Sequence, residues 1–179
     1  DALTVVDGAR LEMVPGVMNG HARTYINHDS RMWGAEATAF APLGKSLALQ
    51  AKVAWLRGSR DLAPRSGIVD RDLPELPPFS GHLALRWELG RWYAELEGVA
   101  AAEQARVDSG LQETPTPAWA IGNLRAGVEL GRFWLLGGVE NLFDRAYREH
   151  LSYQRDPFRA GVAVPEPGRS FTFSLRFQV

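Results

Sequence analysis

The chain lacks cysteine and has no long apolar run, although 45% of its 179 residues are hydrophobic. The absence of cysteine excludes disulfides and thiolate chemistry within the chain. No segment approaches the ~18–20 consecutive apolar residues of a membrane-spanning helix. The formal net charge of −1 gives no overall field that would recruit nucleic acid, so no nucleic-acid partner is expected. These absences do not exclude a membrane protein built from strands, because barrel strands carry apolar residues only at alternate positions.

Residue groupings typical of enzymes are also missing. The four histidines, His21, His28, His82 and His150, are scattered along the chain. No Ser/His/Asp order or paired-carboxylate spacing accompanies them. The glycines fall in predicted strands and turns rather than before a helix, which argues against a phosphate-binding loop. We therefore expect neither an enzyme nor a bound cofactor.

Alternating apolar and polar residues predict about eight antiparallel strands. The pattern is clearest at residues 170–179, where three phenylalanines, Leu175 and Val179 fall on one face and polar residues on the other. The predicted strands cover residues 2–14, 21–40, 46–55, 79–88, 92–101, 118–130, 133–142 and 170–179. The chain is therefore predicted to be all-β.

The predicted connections alternate strictly between tight and long. Tight turns near residues 42–45, 89–91 and 131–132 interleave with loops near residues 15–20, 57–78, 102–117 and 144–168. Transmembrane barrels have this asymmetry, with short periplasmic turns and long extracellular loops. The alternation favours an antiparallel transmembrane β-barrel.

Charged residues lie opposite the large apolar side chains along the predicted strands. Such charges cost little if they face a wet lumen and much if they face a dry core. The interpretation is therefore that the apolar side faces lipid, with Trp55, Trp87, Trp92 and Tyr153 at the interfacial aromatic girdles. The predicted lumen-facing residues are Glu36, Lys52, Arg86, Glu95, Glu97, Arg125, Glu129 and Arg176.

Two other architectures also fit the alternation. A soluble antiparallel β-sandwich acting as a binding module has strands with one wet face. Eight strands can also close by themselves into a small outer-membrane barrel with a structural or adhesive role. A ladder joining residues 2–14 to residues 170–179 would indicate closure at eight strands, and its absence would indicate an arc of a larger barrel.

Linked motifs resemble the C-terminal part of a TonB-dependent outer-membrane receptor, in the branch that includes copper and iron-siderophore receptors. Two upstream segments, residues 113–119 and 34–36, are also similar to that family. One departure is Val179, which stands where outer-membrane barrels usually end in an aromatic residue. The motifs are Gly138-Val139-Glu140-Asn141-Leu142-Phe143-Asp144 with Tyr147, Glu149-His150-Leu151, and Val164-Pro165-Glu166-Pro167-Gly168-Arg169.

The resemblance implies that residues 1–179 form the C-terminal part of a barrel of about 22 strands, without the plug domain and the earlier strands. It implies a location in the outer membrane of a Gram-negative bacterium. The function implied is active import of a scarce nutrient, a metal or a metal-siderophore chelate of iron or copper. The implied partners are that substrate, outer-membrane lipid, and the TonB complex acting through the plug.

Two sets of side chains are candidate substrate ligands. In the last long loop, Arg145, Arg148, His150 and Arg155 are of a type that gathers an anionic chelate, although a solvated charge-mixed loop is the simpler interpretation. Around the loop near residues 15–20, Met13, Met18 and His21 supply thioether and imidazole groups that suit Cu(I). Methionines that fill apolar gaps and a solvated histidine are the alternative there.

Overall fold

The structure is a computed structural model, and it describes residues 3–13, 21–64, 68–111, 113–156 and 159–178. Side chains are described from residue 29 onward, apart from residues 65–67, 112, 153–162 and 179. Eight strands form one antiparallel sheet in the order β1-β2-β3-β4-β5-β6-β7-β10. The all-β prediction is confirmed. The strands are β1 (Leu3–Met13), β2 (His21–Pro42), β3 (Leu47–Arg60), β4 (Ser80–Leu89), β5 (Trp92–Ala101), β6 (Trp119–Leu130), β7 (Phe133–Glu140) and β10 (Ser170–Phe177).

The predicted strand boundaries agree with the structure to within two residues, except at the loop end of β3. That strand continues to Arg60 rather than ending near Trp55. A second sheet was not predicted. It is the hairpin of β8 (Tyr153–Asp156) and β9 (Arg159–Ala163), within a segment that was expected to be loop. Among the described residues, no helix is both long and apolar enough to span a bilayer.

Each strand pairs with its neighbour in a register that keeps apolar residues on one face of the sheet from β2 to β10. Large side chains on this apolar face stay exposed, such as Trp33 at 63% and Phe173 at 75%. The buried apolar residues in the described part of the chain are Ile68, Leu73, Ala84 and Ala101. A sandwich would instead bury the apolar face of its sheet against a second sheet.

The sheet does not close on itself in the described residues. The first strand, β1, pairs with β2, and the last strand, β10, pairs with β7, so these two strands are the edges. In the described ranges of the two strands, no ladder joins β1 to β10. This arrangement is an arc of a barrel wall rather than an eight-stranded barrel.

Tight turns lie at one end of the sheet and long loops at the other. The turns include Gly90 (φ 58°) and Gly131 (φ 64°), a backbone region that only glycine enters without strain. At the other end, the first long loop is residues 61–79, the second is residues 102–118, and the third is residues 141–169. The antiparallel order therefore places these three loops side by side.

The long loops fold over the face of the sheet that carries the charged residues. A Cβ on Gly58 would lie 2.4 Å from Leu73 Cδ1 of the first loop, and the register puts Gly58 on the same face as Lys52. On β6, the ring of Trp119 contacts Tyr147 of the third loop at a centroid distance of 4.5 Å. Both contacts lie above the charged side chains of the strands.

Candidate functional site

The register brings all eight predicted lumen-facing residues onto one face of the sheet, which we call the charged face. In its central row, Arg86 lies opposite Glu95, and Glu95 lies opposite Arg125. A one-residue slip of any strand would move its charges to the apolar face. The members are Glu36, Lys52, Arg86, Glu95, Glu97, Arg125, Glu129 and Arg176.

Arg125 is the centre of a hydrogen-bonded network on the charged face. Its Nη1 donates to Glu95 Oε1 and to Glu97 Oε2, both at 3.1 Å. The amide of Asn123 donates to Glu97 Oε2 at 2.9 Å, and His82 Nδ1 lies 3.5 Å from the other oxygen of Glu97. The Arg125 side chain keeps 40% of its surface exposed, so the network is wet.

Gly138 lets β7 lie close to Thr172 of β10, beside the network. A Cβ at this position would lie 2.7 Å from Thr172 Oγ1, a distance that real Cβ contacts almost never show, and 3.7 Å from Arg125 Cγ, which is an ordinary van der Waals contact. A larger residue would therefore press on Thr172 and not on Arg125. The glycine of the Gly-Val-Glu-Asn motif thus has a packing role against β10, next to the network.

The other charged-face residues are spread over the sheet. Glu36 and Lys52 are exposed, and the register sets Lys52 between Thr38 and His82. Near the tight turns, Arg86 donates to Glu88 through its Nε at 2.7 Å and stacks on Tyr93, with 5.0 Å from Cζ to the ring centroid. The remaining two, Glu129 and Arg176, lie on either side of Trp134.

Above the charged face, the long loops meet in a buried polar cluster that the sequence did not predict. We call it the loop cluster, and it contains one ion pair and one hydrogen-bonded histidine–carboxylate pair. The Arg60 guanidinium pairs with Asp108, and these side chains are 1% and 3% exposed. Arg60 Nε also donates to the carbonyl of Asp70 at 3.1 Å. The cluster consists of Arg60, Gln104, Asp108, Glu113, Thr116 and His150.

A hydrogen-bonded pair in the loop cluster joins His150 to Glu113. His150 Nε2 lies 2.8 Å from Glu113 Oε1, and its Nδ1 lies 2.8 Å from Thr116 Oγ1. The two side chains of the pair are 2% and 5% exposed. In this arrangement His150, expected among the substrate ligands, has both ring nitrogens engaged and ties the second and third loops together.

The two C-terminal motifs contact each other at the base of the third loop. Asn141, at φ 50°, is 2% exposed, and its side chain bonds the backbone of Arg145 in both directions, at 2.8 and 2.9 Å. Asp144 Oδ1 accepts from the N–H of Arg169 at 2.8 Å. These contacts close the loop where it leaves β7 and re-enters β10.

The candidate ligands of the third loop are placed differently from one another. Arg148 donates to Thr116 Oγ1 at 3.2 Å and to the carbonyl of Pro115 at 3.3 Å. Arg145 is exposed. The side chain of Arg155, like that of the proposed girdle residue Tyr153, lies outside the described residues. Among the described side chains, Arg148 and His150 therefore meet at Thr116 Oγ1, and Arg145 points elsewhere on the exposed surface of the loop.

The candidate copper ligands lie at the start of the chain. The register pairs Met13 of β1 directly with His21 of β2. The whole of Met18, and the side chains of Met13 and His21, lie outside the described part of the chain. Within the described part, no three His, Asp or Glu side chains group as a metal site.

Asp70 in the first loop is held ionised by its neighbours. The Ser109 hydroxyl, followed by the backbone N–H groups of Ser109 and Gly110, holds the pKa of the Asp70 carboxyl below its ordinary value, despite a partly opposing effect of burial. The Ser109 N–H lies 2.7 Å from Asp70 Oδ2. This contact is a further link between the first and second loops.

Comparisons with known proteins agree with this geometry. The family model described as TonB dependent receptor-like, beta-barrel matches residues 5–142. No curated protein sequence matches the chain significantly. Among solved structures, the copper transporter OprC is 28% identical with a TM-score of 0.76, and the match covers 88% of this chain and 25% of that one.

Two further structures share the fold at lower identity. The ferric yersiniabactin uptake receptor FyuA from Yersinia pestis is 18% identical with a TM-score of 0.68, and the match covers 86% of this chain and 24% of that one. The ferric enterobactin receptor PfeA from Pseudomonas aeruginosa is 21% identical with a TM-score of 0.61, covering 98% and 26%. The chain thus spans about a quarter of the length of each of these proteins.

Proposed function

The chain belongs to the TonB dependent receptor-like β-barrel family, and we propose that it forms part of the wall of an outer-membrane receptor. The receptor resides in a Gram-negative outer membrane and actively imports a scarce nutrient. Energy reaches it through TonB, acting on a plug domain elsewhere in the protein. The observation that carries the proposal is the charged face itself, with its eight predicted residues opposite an exposed apolar face.

The charged face lines the translocation path in this proposal. Its side chains need water, because the ionised Arg125, Glu95 and Glu97 are expensive to place against hydrocarbon. The apolar face needs the opposite, since exposed Phe171 and Phe173 stabilise the protein only where lipid covers them. An arc of strands with one hydrated charged face and one apolar face therefore fits the wall of a membrane barrel.

The substrate we propose is a metal or a metal chelate. In support, the similar structures are a copper transporter, a ferric yersiniabactin uptake receptor and a ferric enterobactin receptor. Arg145 and Arg148 supply positive charge near the loop end for an anionic chelate. His150 is left out of this set because the structure engages both of its ring nitrogens.

A copper substrate is the sharper form of the proposal and is directly testable. Met13, Met18 and His21 flank one loop, and thioether with imidazole suits Cu(I). Cu(I) titration of the full-length receptor would compare a Met13→Ala, Met18→Ala double variant with Met32→Ala, which changes an exposed methionine of β2. We expect weaker binding in the double variant alone. Equal Cu(I) affinity in the native receptor, the double variant and the Met32→Ala variant would exclude Met13 and Met18 as copper ligands.

Cysteine labelling tests the two-faced wall itself, since the chain contains no cysteine. Lys52→Cys on the charged face and Val53→Cys on the apolar face are neighbours at the same height, and both positions are exposed in the chain. In the full-length receptor in lipid vesicles, a charged maleimide should label position 52 at least about tenfold faster, because lipid covers position 53. After denaturation the two positions should react equally. Fast labelling at position 53 in vesicles would contradict the proposal.

A further inference from the structure

The three long loops share one buried carboxylate, that of Glu113. Its Oε1 accepts from the N–H of Glu75 in the first loop at 2.8 Å, and its Oε2 accepts from the N–H of Asp108 in the second loop at 2.8 Å. His150 of the third loop lies 2.8 Å from Oε1. We propose that the described parts of the three long loops, residues 68–79, 102–118 apart from 112, and 141–152, move as a single cap over the charged face, with Glu113 as the joint that couples them.

Burial makes this joint cooperative. The Glu113 side chain is 5% exposed, so the loop donors replace the water that would otherwise solvate the carboxylate. Because a carboxylate can only accept, His150 Nε2 is the donor, and Nδ1 shares a second hydrogen bond with the Thr116 hydroxyl. A loop that moves away leaves the carboxylate short of a donor, which is costly inside a protein. The loss of one loop therefore weakens the hold on the other two.

Further contacts place the second loop in the middle of the cap. Towards the first loop, Gln104 Nε2 donates to the carbonyl of Leu76 at 2.7 Å, and Gln104 is 1% exposed. Towards the third loop, Thr116 accepts from Arg148. The backbones of Gln104 and Thr116 pair with each other, at 2.9 and 3.0 Å, so the two connections are joined inside the second loop.

The cap covers the charged face rather than standing clear of it. Arg60, which pairs with Asp108, lies on the same face as Lys52 and Glu36 in the register of β2 and β3. Leu73 and Leu76 of the first loop pack against Gly58 on that face. Opening the cap therefore uncovers the loop end of the charged face as a whole, and separate lids over it are not expected.

Hydrogen exchange in the full-length receptor tests the coupling. The change is His150→Ala, in the third loop. If the loops move together, exchange should quicken about tenfold at the amides of Glu75 and Asp108, although neither amide bonds His150. The amides of β4 to β7 serve as an internal check that the barrel is intact. His82→Ala, a strand histidine beside Glu97, is the matched control and should leave the loops unchanged.

Two variants separate coupling from loss of packing. His150→Gln keeps a donor and an acceptor on the side chain, so it should return exchange towards the unmodified protein. Thr116→Val removes the hydroxyl at nearly constant shape and should act in the same direction as His150→Ala, but less strongly. Faster exchange confined to residues 149–152, with the Glu75 and Asp108 amides unchanged in both His150→Ala and Thr116→Val, would overturn the proposal.

Discussion

The charged face and the loop cluster are built from the same kinds of residues, but one is wet and the other is dry. On the charged face, Arg125 keeps 40% of its side-chain surface beside Glu95 and Glu97. In the loop cluster, Arg60 keeps 1% beside Asp108. Exposed ion pairs contribute little to stability, whereas breaking a buried pair leaves a charge stranded. In our proposals the wet network lines the translocation path and the dry cluster holds the cap together.

The largest effect is expected from Asp108→Ala. It removes the Asp108 carboxylate from the buried ion pair with Arg60, so the free energy of opening the loops should fall by about 3–5 kcal/mol. Hydrogen exchange of the Arg60 and Leu73 amides, which bond the backbone across β3 and the first loop, measures this. Asp61→Ala, an exposed neighbour, is the control and should change little. Equal effects of the two changes would mean that the buried Arg60–Asp108 pair stabilises the closed loops no more than an exposed carboxylate does.

An intermediate effect is expected from Asn141→Ala at the base of the third loop. The change removes the side-chain bonds to Arg145 from a site that is 2% exposed, at an expected cost of about 1–3 kcal/mol. Asn141→Gly keeps the φ of 50° accessible and should recover only the backbone part of the loss. Thermal unfolding of the full-length receptor would compare the three proteins. A glycine variant as stable as the native protein would show that the amide bonds do not matter.

A small effect on stability is expected from Arg125→Ala. The exposed network should contribute at most about 1 kcal/mol, and less at high salt. Denaturant unfolding at low and high salt measures both parts of the expectation. Transport should suffer more than stability if the side chain lines the path. A loss of stability as large as that of Asp108→Ala would instead indicate that Arg125 lies in a dry environment, away from water.

The smallest effect is expected from the acid titration of Asp70. Its pKa is lowered in the folded protein, first by the Ser109 hydroxyl, so the contact stabilises the fold above the ordinary carboxyl pKa. That contribution is lost as the pH falls from the ordinary value through the lower folded value. Thermal unfolding across this acid range should show a shallower pH dependence for Asp70→Asn than for the native chain. Identical slopes would contradict the assignment.

The sequence predicted the strands and faces well because their cause is local. A period of two residues decides which side chains share a face, and this placed Lys52 with Arg125 although β4 and β5 separate their strands. The β8–β9 hairpin was missed because its strands are short and alternate poorly. Asp156-Pro157, a dipeptide typical of turns, was the available signal.

The loop cluster could not be predicted from the sequence. Its Arg60–Asp108 ion pair and His150–Glu113 hydrogen bond join residues 48 and 37 positions apart, and nothing near Arg60 or His150 in the sequence indicates their partners. The same limit explains the expectation for His150. A histidine in a polar loop looks like a free ligand until the fold brings Glu113 and Thr116 to its two nitrogens.

Within the described residues, the outer edges of β1 and β10 pair with no strand, and this has a practical consequence. Each edge offers a row of backbone donors and acceptors, which is a template for joining another copy. Refolded by itself, this segment should polymerise edge to edge. Biophysical work on these residues therefore belongs in the intact receptor, where our proposal places further strands beside both edges.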